Sequence, residues 1–343
     1  MSDKIRIVAV GCGGISPSWF EPASLRALLD TELGGDTDRI ARDWLARAGK
    51  RWRPFLTICA WKALQSDPEA AIPESLKKLA VAVECFHKAS LIHDDIEDDD
   101  AERYGESTLH VEYGVAVALN CGDLLLGDGY RLIAESGAPA DVQCRMLRIA
   151  SRGHRTLCLG QGAELCWMRD PKPMGSLDVL QVFRQKTAPA FEVALQIGAA
   201  LAGAEDDLMR VLGKYSDALG IAYQIRDDLE DLAPADTRPS LPLAIAYERA
   251  KGERKLMLER AWKRQDPASP LLLAELAEER CRELLESYKE EAVRSLPALE
   301  NASLKGLLRR VVGKIFQLEV KGWCSEFETR NAANRPAVAE TAR

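Results

Sequence analysis

Positive charge is scarce along this chain: 46 lysines and arginines stand against 53 aspartates and glutamates, a formal net charge of −7. A general nucleic-acid binder needs surplus cations to neutralise phosphates, so the balance argues against that class. Aromatic residues make up only 6% of the chain. Strand-like alternation is rare while Ala and Leu abound, which favours helices. No apolar run reaches membrane-spanning length; the nearest, Ala188 to Ala204, is broken by Glu192 and Gln196. No signal peptide is recognisable. The 9 cysteines include no C-x-x-C pair, and most sit in apolar stretches, as small buried residues of a reducing cytosol do. Among the 4 histidines, His154 with Cys158 is the one pair at helical ligand spacing, and no second pair completes a zinc site. A Ser/His/Asp constellation is missing too. The expectation is a cytoplasmic protein whose 47% apolar content supplies a sizeable core.

What the chain does have is carboxylate, concentrated. Six of the seven residues from Asp94 to Asp100 are acidic, and they follow the mostly apolar run Leu79 to Ile92. On a helix Asp94 and Asp98 lie one above the other with Asp95 beside them. Like charges at that spacing destabilise a helix by roughly 0.2–0.5 kcal/mol per pair, and anions near a C-terminus add to the cost. A solvated acidic helix end would explain one such run. However, the D-D-x-x-D spacing returns at Asp227-Asp228-Leu229-Glu230-Asp231, again after an apolar run, Ala218 to Ile225. Two acidic helix ends facing each other across a cavity could hold hard divalent cations. Mg²⁺ fits best, because it takes oxygen ligands and is held by a few carboxylates together with substrate phosphates.

Taken in order, Lys4 to Val10 alternates like a strand and runs into Gly11-Cys12-Gly13-Gly14-Ile15-Ser16. This resembles the opening of a nicotinamide-dependent dehydrogenase, but Ser16 replaces the third glycine and Pro17, Trp19 and Pro22 follow where a crossover helix is needed. Residues 1–20 are therefore read as an N-terminal extension, and residues 21–329 as one all-helical domain. Helix-like segments cover Ala23–Leu33 and Asp36–Ala48. In Gly49-Lys50-Arg51-Trp52-Arg53-Pro54, the cations Lys50 and Arg53 are three apart and can aim at one anion. His87 precedes Asp94 by about two turns and shares its face. Arg103 lies just after the acidic run, and Gly122-Asp123 reads as a packing position. Lys186-Thr187 puts a charge into an apolar helix, where a solvated lysine is the default. Residues 330–343 are polar and lack periodicity, the pattern of a disordered tail.

From about Leu25 to Cys324 the order of these motifs is similar to that of the trans-isoprenyl diphosphate synthases, an all-α family built as a large helical bundle around a central cavity. The resemblance rests on Gly49 to Pro54, Asp94-Asp95-Ile96-Glu97-Asp98, Arg103, Gly122-Asp123, Lys186-Thr187 and Gln224 through Asp231. It implies a prenyltransferase that condenses an allylic diphosphate with isopentenyl diphosphate to a geranylgeranyl or longer polyprenyl diphosphate. Asp94, Asp95, Asp98, Asp227, Asp228 and Asp231 would chelate Mg²⁺, three ions per site when substrate is bound. Arg103, Lys186, Thr187 and Gln224 would contact the allylic substrate; Lys50, Arg53 and His87 would hold isopentenyl diphosphate. The small Ala89 and Ser90 would open the product tunnel, and the assembly would be a homodimer.

Two departures weaken the isopentenyl half. The family usually carries a second arginine after the first motif; here that position is Tyr104, a neutral hydroxyl. The family's Gly-Lys loop after the second motif is reduced to Leu232–Ser240, with Arg238 its one cation. The alternatives left open are a same-fold enzyme with a different acceptor, such as a terpene synthase, and a non-catalytic subunit of a heteromeric synthase.

Overall fold

The computed structural model describes residues 17–29, 34–47, 49, 51–67, 70–230 and 238–317. Within these the chain is helical almost throughout. The helices are α1 (Pro22–Leu29), α2 (Asp36–Ala46), α3 (Trp52–Ala63), α4 (Glu74–Glu97), α5 (Leu109–Tyr113), α6 (Val115–Ala134) and α7 (Ala140–Arg169). They continue with α8 (Ser176–Leu201), α9 (Asp206–Glu230), α10 (Leu241–Arg249), α11 (Gly252–Trp262), α12 (Pro270–Leu273), α13 (Glu279–Ser295) and α14 (Ala302–Ile315). The helices read at 23–33 and 36–48 correspond to α1 and α2, with residues 30–33 and 48 outside the described ones, while α11 was not anticipated. The strand read at Lys4–Val10, the tail from residue 330, Lys50 and Asp231 all lie outside the described residues.

Between α4 and α5 the polar link is a small hairpin, β1 (Glu102–Arg103) against β2 (Glu106–Ser107). Tyr104 and Gly105 turn it, with φ of 58° and 79°. Positive φ at both central residues matches the right-handed twist of the flanking strands.

Helix α8 is the spine of the bundle: α3, α7 and α9 all pack on it, while α6 packs on α4 and α13 on α9. Small residues permit this crowding. A Cβ at Gly160 of α7 would come within 2.7 Å of the Lys186 backbone nitrogen, and one at Gly220 of α9 within 2.7 Å of the Ala188 Cα. Both neighbours are α8 backbone, which no rotamer change can move. Gly160→Ala is expected to destabilise the fold by about 1–3 kcal/mol, the range for overpacking. A lower urea midpoint than wild type would show it; an unchanged midpoint would mean α7 can back away freely.

The first acidic run closes its helix: α4 ends at Glu97, its cap residue Asp98 donating its N–H to the Asp94 carbonyl at 2.8 Å, while α9, which carries the second run, is described as far as Glu230. Neither carries a basic residue in its last turn, so side-chain and dipole charges add instead of cancelling. The main core joins α1 to α9 and α14, and a second one joins the ends of α7–α9 to α10–α13.

Candidate active site

A cavity of about 550 Å³ opens among α3, α4, α6, α7, α8 and α9. Along α4 its lining residues include Val83, Phe86, His87, Ser90, Asp94 and Glu97, a three-or-four spacing that is one helical face, with Leu91 and His93 at its edges. From Val83 to Asp94 that face runs about 16 Å, at 1.5 Å per residue. The acidic end of α4 therefore forms the mouth and its apolar part the depth. Helix α7 runs alongside in the same sense. Near the mouth its Gln161 donates to Glu97 at 2.6 Å, and deeper its Gly153, His154 and Leu157 line the wall.

Lys186 and Thr187 of α8 and Tyr223 and Gln224 of α9 line the same cavity as Asp94. Asp227 and Asp228 follow Gln224 by three and four residues, on the same helical face, so α9 presents the second acidic motif at this end. Arg238, just before α10, reaches the first motif: it binds the Asp98 carboxylate, and its Nε lies 3.7 Å from Glu164. Lys186 Nζ sits 2.6 Å from that same Glu164. Burial, aided by Glu97 and Asp98 and opposed by Lys186, pushes the Asp94 carboxyl up to about 6. Negative charge is thus in excess where the cavity opens.

The other carboxylates are held by the protein. Asp95 is 1% exposed and accepts from Arg103, which also lies 3.1 Å from Asp100. Arg103 consequently stands outside the cavity lining. Arg226 grips Asp227 with Nη2 at 2.6 Å and donates to the Ile315 carbonyl at 2.8 Å, tying the second motif to the end of α14. Asp228 accepts the backbone N–H of Leu241 at 2.7 Å. Among the described residues no three His, Cys, Asp or Glu side chains converge as a ready metal cluster. The donor chemistry still fits magnesium: carboxylate oxygens on two helices, at one end of the same cavity.

Cations gather on the α3 side. Arg53 lines the cavity with its guanidinium 4.1 Å from the Trp52 ring, and burial lowers it to about 10. His87, also lining, is held well below its ordinary value by burial and then by Arg53, Lys88, Arg51 and Arg103. An aromatic wall follows: Trp52 lies 4.7 Å from Phe191, and Phe191 6.4 Å from Tyr223, between ring centroids.

Of the residues singled out in the sequence, Asp94, Arg53, His87, Lys186, Thr187, Gln224 and Ser90 line one cavity. Ala89 does not; it is fully buried in the main core. Gly122 is a packing position, since a Cβ there would meet His93 Nε2 at 2.3 Å. Sequence reasoning passed over Phe86 and Tyr130, and weighed His154 only as a zinc ligand. Phe86 and His154 line the deep part of the cavity; the Tyr130 ring packs behind them, 4.9 Å from Phe86, with its hydroxyl 2.9 Å from His154 Nδ1. Helical spacing back from Asp94 was the available signal for Phe86. Nothing in the sequence marked Tyr130.

Comparison with known proteins agrees with this geometry. A geranylgeranyl pyrophosphate synthase of Geoglobus acetivorans is 32% identical over 195 residues, 57% of this chain and 59% of that protein's length. A short chain isoprenyl diphosphate synthase of Methanocaldococcus jannaschii is 30% identical over 232 residues, 68% of each chain. The solved geranylgeranyl pyrophosphate synthase of Corynebacterium glutamicum, complexed with isoprenyl diphosphate and magnesium, superposes with a TM-score of 0.71 at 25% identity. That match covers 87% of this chain and 97% of the other, which makes the architecture the all-α isoprenoid synthase fold. The polyprenyl synthetase family model spans residues 37–279, from the start of α2 to α13 and across both acidic helix ends, and the chain belongs to that family.

Proposed function

We propose that the chain is a prenyltransferase condensing an allylic diphosphate with isopentenyl diphosphate, with magnesium, to give a geranylgeranyl or longer polyprenyl diphosphate. The observation that carries this is one cavity joining an acidic mouth, a cationic flank and an apolar depth. Asp94 and Asp98 of α4, with Asp227, Asp228 and Asp231 of the second motif, would hold the ions, three per site. Asp95 steadies Arg103 beside them. Bound magnesium supplies the positive charge that stabilises a departing diphosphate. Lys186, Thr187 and Gln224 orient that group over the mouth, while Arg53 and His87, with Lys50, seat the second diphosphate. Trp52, Phe191 and Tyr223 face the reacting carbons and keep water from the allylic cation. The double bond of isopentenyl diphosphate attacks, and the released diphosphate takes the proton.

Incubation with Mg²⁺ and dimethylallyl, geranyl, farnesyl or geranylgeranyl diphosphate, with and without isopentenyl diphosphate, tests this by product mass. Elongation only when both are present is the expected result. Turnover without isopentenyl diphosphate would transfer the assignment to a terpene synthase, and none in any mixture would make the chain a silent subunit. Tyr104→Arg should lower the KM for isopentenyl diphosphate roughly three- to tenfold, one charge-assisted bond. An unchanged KM would remove Tyr104 from that half of the site.

A homodimer is the assembly this reading favours. Val111, Tyr113, Val115, Leu119 and Leu159 are exposed along α5, α6 and α7, an apolar surface suited to a second copy. No described helix is long and apolar enough to cross a membrane, and no disulfide joins the described cysteines.

A further inference from the structure

Local charge runs against the whole in one place. Residues 249–266 hold seven lysines and arginines against three carboxylates, a surplus of four in a chain whose net charge is −7. Helix α11 occupies most of this stretch and buries Leu258, Ala261 and Trp262 in the second core. Its outer face carries Leu256, Met257, Arg260, Lys263 and Arg264, at helical spacing and open to solvent. A surface helix ordinarily keeps that face polar, so the leucine and methionine need a reason.

The exposed leucines elsewhere gather at the same corner. Leu271, Leu177 and Leu256 are 83%, 79% and 60% exposed, more than any other large apolar side chain among the described residues. All three lie around the end of α10. Ser176, beside Leu177, donates its N–H to Glu248 at 2.6 Å, and Arg249 donates to the Leu276 carbonyl at 3.0 Å. Arg254 of α11 lies 2.7 Å from Glu275, one turn past Leu271. This corner stands on the mouth side of the bundle. Helix α8 runs about 14 Å from Leu177 to Lys186, at 1.5 Å per residue, before it enters the depth at Val193.

Ion pairs do not use up the charge. Arg254, Arg260 and Lys263 meet Glu275, Asp266 and Glu259, pairs at the surface that contribute little. Lys251 and Arg264 enter none among the described residues.

From this juxtaposition we infer that α11 and the exposed leucines beside it form a docking face for an anionic phospholipid bilayer. Leu256 and Met257 enter the headgroup layer, while Arg260, Lys263 and Arg264 meet lipid phosphates. Apolar side chains flanked by cations on one face are the chemistry of a helix lying in a membrane surface. A second copy of the chain fits less well, because pairing this face with itself would bring like charges together. Docking does not require the proposed activity, but under it a polyprenyl product would be made beside lipid.

Flotation of the full chain with phosphatidylcholine vesicles, with and without added phosphatidylglycerol, tests this. It is read at about 0.1 M and about 1 M NaCl, where screening lengths are about 10 and 3 Å. The expected result is binding to the anionic vesicles at the lower salt, lost at the higher. L256E/M257E and, separately, R264E should each weaken that binding at least about fivefold. Equal binding to both kinds of vesicle, binding to neither, or binding unchanged in both variants overturns the inference. So does a lower urea midpoint in L256E/M257E, which would mean that the chain itself covers this face. A smaller species than wild type on sizing that variant without lipid would give the face to a second copy and overturn it too. Turnover plays no part in these readouts, so failure of the proposed activity would show separately, in the product assay.

Discussion

Asp94→Asn should cost at least about a thousandfold in kcat/KM and yet yield a more stable metal-free protein at pH 7. The loss follows from the position of Asp94, at the mouth of the cavity between the two acidic helix ends. Removing one charged metal ligand forfeits several kcal/mol of transition-state stabilisation, and each 1.36 kcal/mol is about a factor of ten. The gain in stability follows from the pKa. The carboxyl is raised from 3.8 to about 6 by burial and by Glu97 and Asp98. The folded state therefore binds more protons than the unfolded one between those values, and stability falls as pH rises through that window. About two pKa units correspond to roughly 3 kcal/mol at most. Urea titrations should show wild type and variant nearly matched at pH 4 and the variant ahead by about 1–3 kcal/mol at pH 7. A variant within tenfold of wild-type activity, or less stable than it at pH 7, would remove Asp94 from the metal site.

That combination explains why acidic clumping was so legible in the sequence. Carboxylates crowded at a helix C-terminus are unfavourable for folding, so a pair of such clusters carries information that a solvated charge run does not. Helical periodicity suggested the all-α architecture and put Arg53 beside Lys50 and His87 on the face of Asp94, whereas Lys186 and Gln224 were reached only through the family resemblance. Rotation about the axis of α4 was harder to read. Leu79, Val81 and Val83 are buried alongside Ala80 and Ala82, so the helix is apolar all round and its sequence marks no single inward face. That is why Ala89 was read at the tunnel when the structure puts it in the core, and why Phe86 was passed over. The pairing of Arg103 with Asp95 was equally hidden, since it depends on the Tyr104-Gly105 turn folding the hairpin back onto α4.

The same geometry makes Phe86, not Ala89, the residue to test for control of product length. Phe86 sits two turns below Asp94, about 12 Å along the helix, with its ring edge on Tyr130 and Tyr130 bonded to His154. The backbone is shaped around that ring: a Cβ at Gly129 would come within 2.5 Å of it. The cavity lining at this depth includes Val83, Leu126 and Ala150, apolar side chains that offer a growing hydrocarbon no obstacle of polarity. Phe86→Ala should therefore open the floor and lengthen the main product by at least one isoprene unit, read by mass, at a stability cost of about 2–4 kcal/mol. Ala89→Phe should act differently. A ring forced into the packed core beside Ile92 and Cys85 overpacks it by about 1–3 kcal/mol and leaves the product distribution as it was. If Ala89→Phe shortens the product while Phe86→Ala leaves it unchanged, the hydrocarbon runs along the other face of α4, and the cavity between α4 and α7 is not its path.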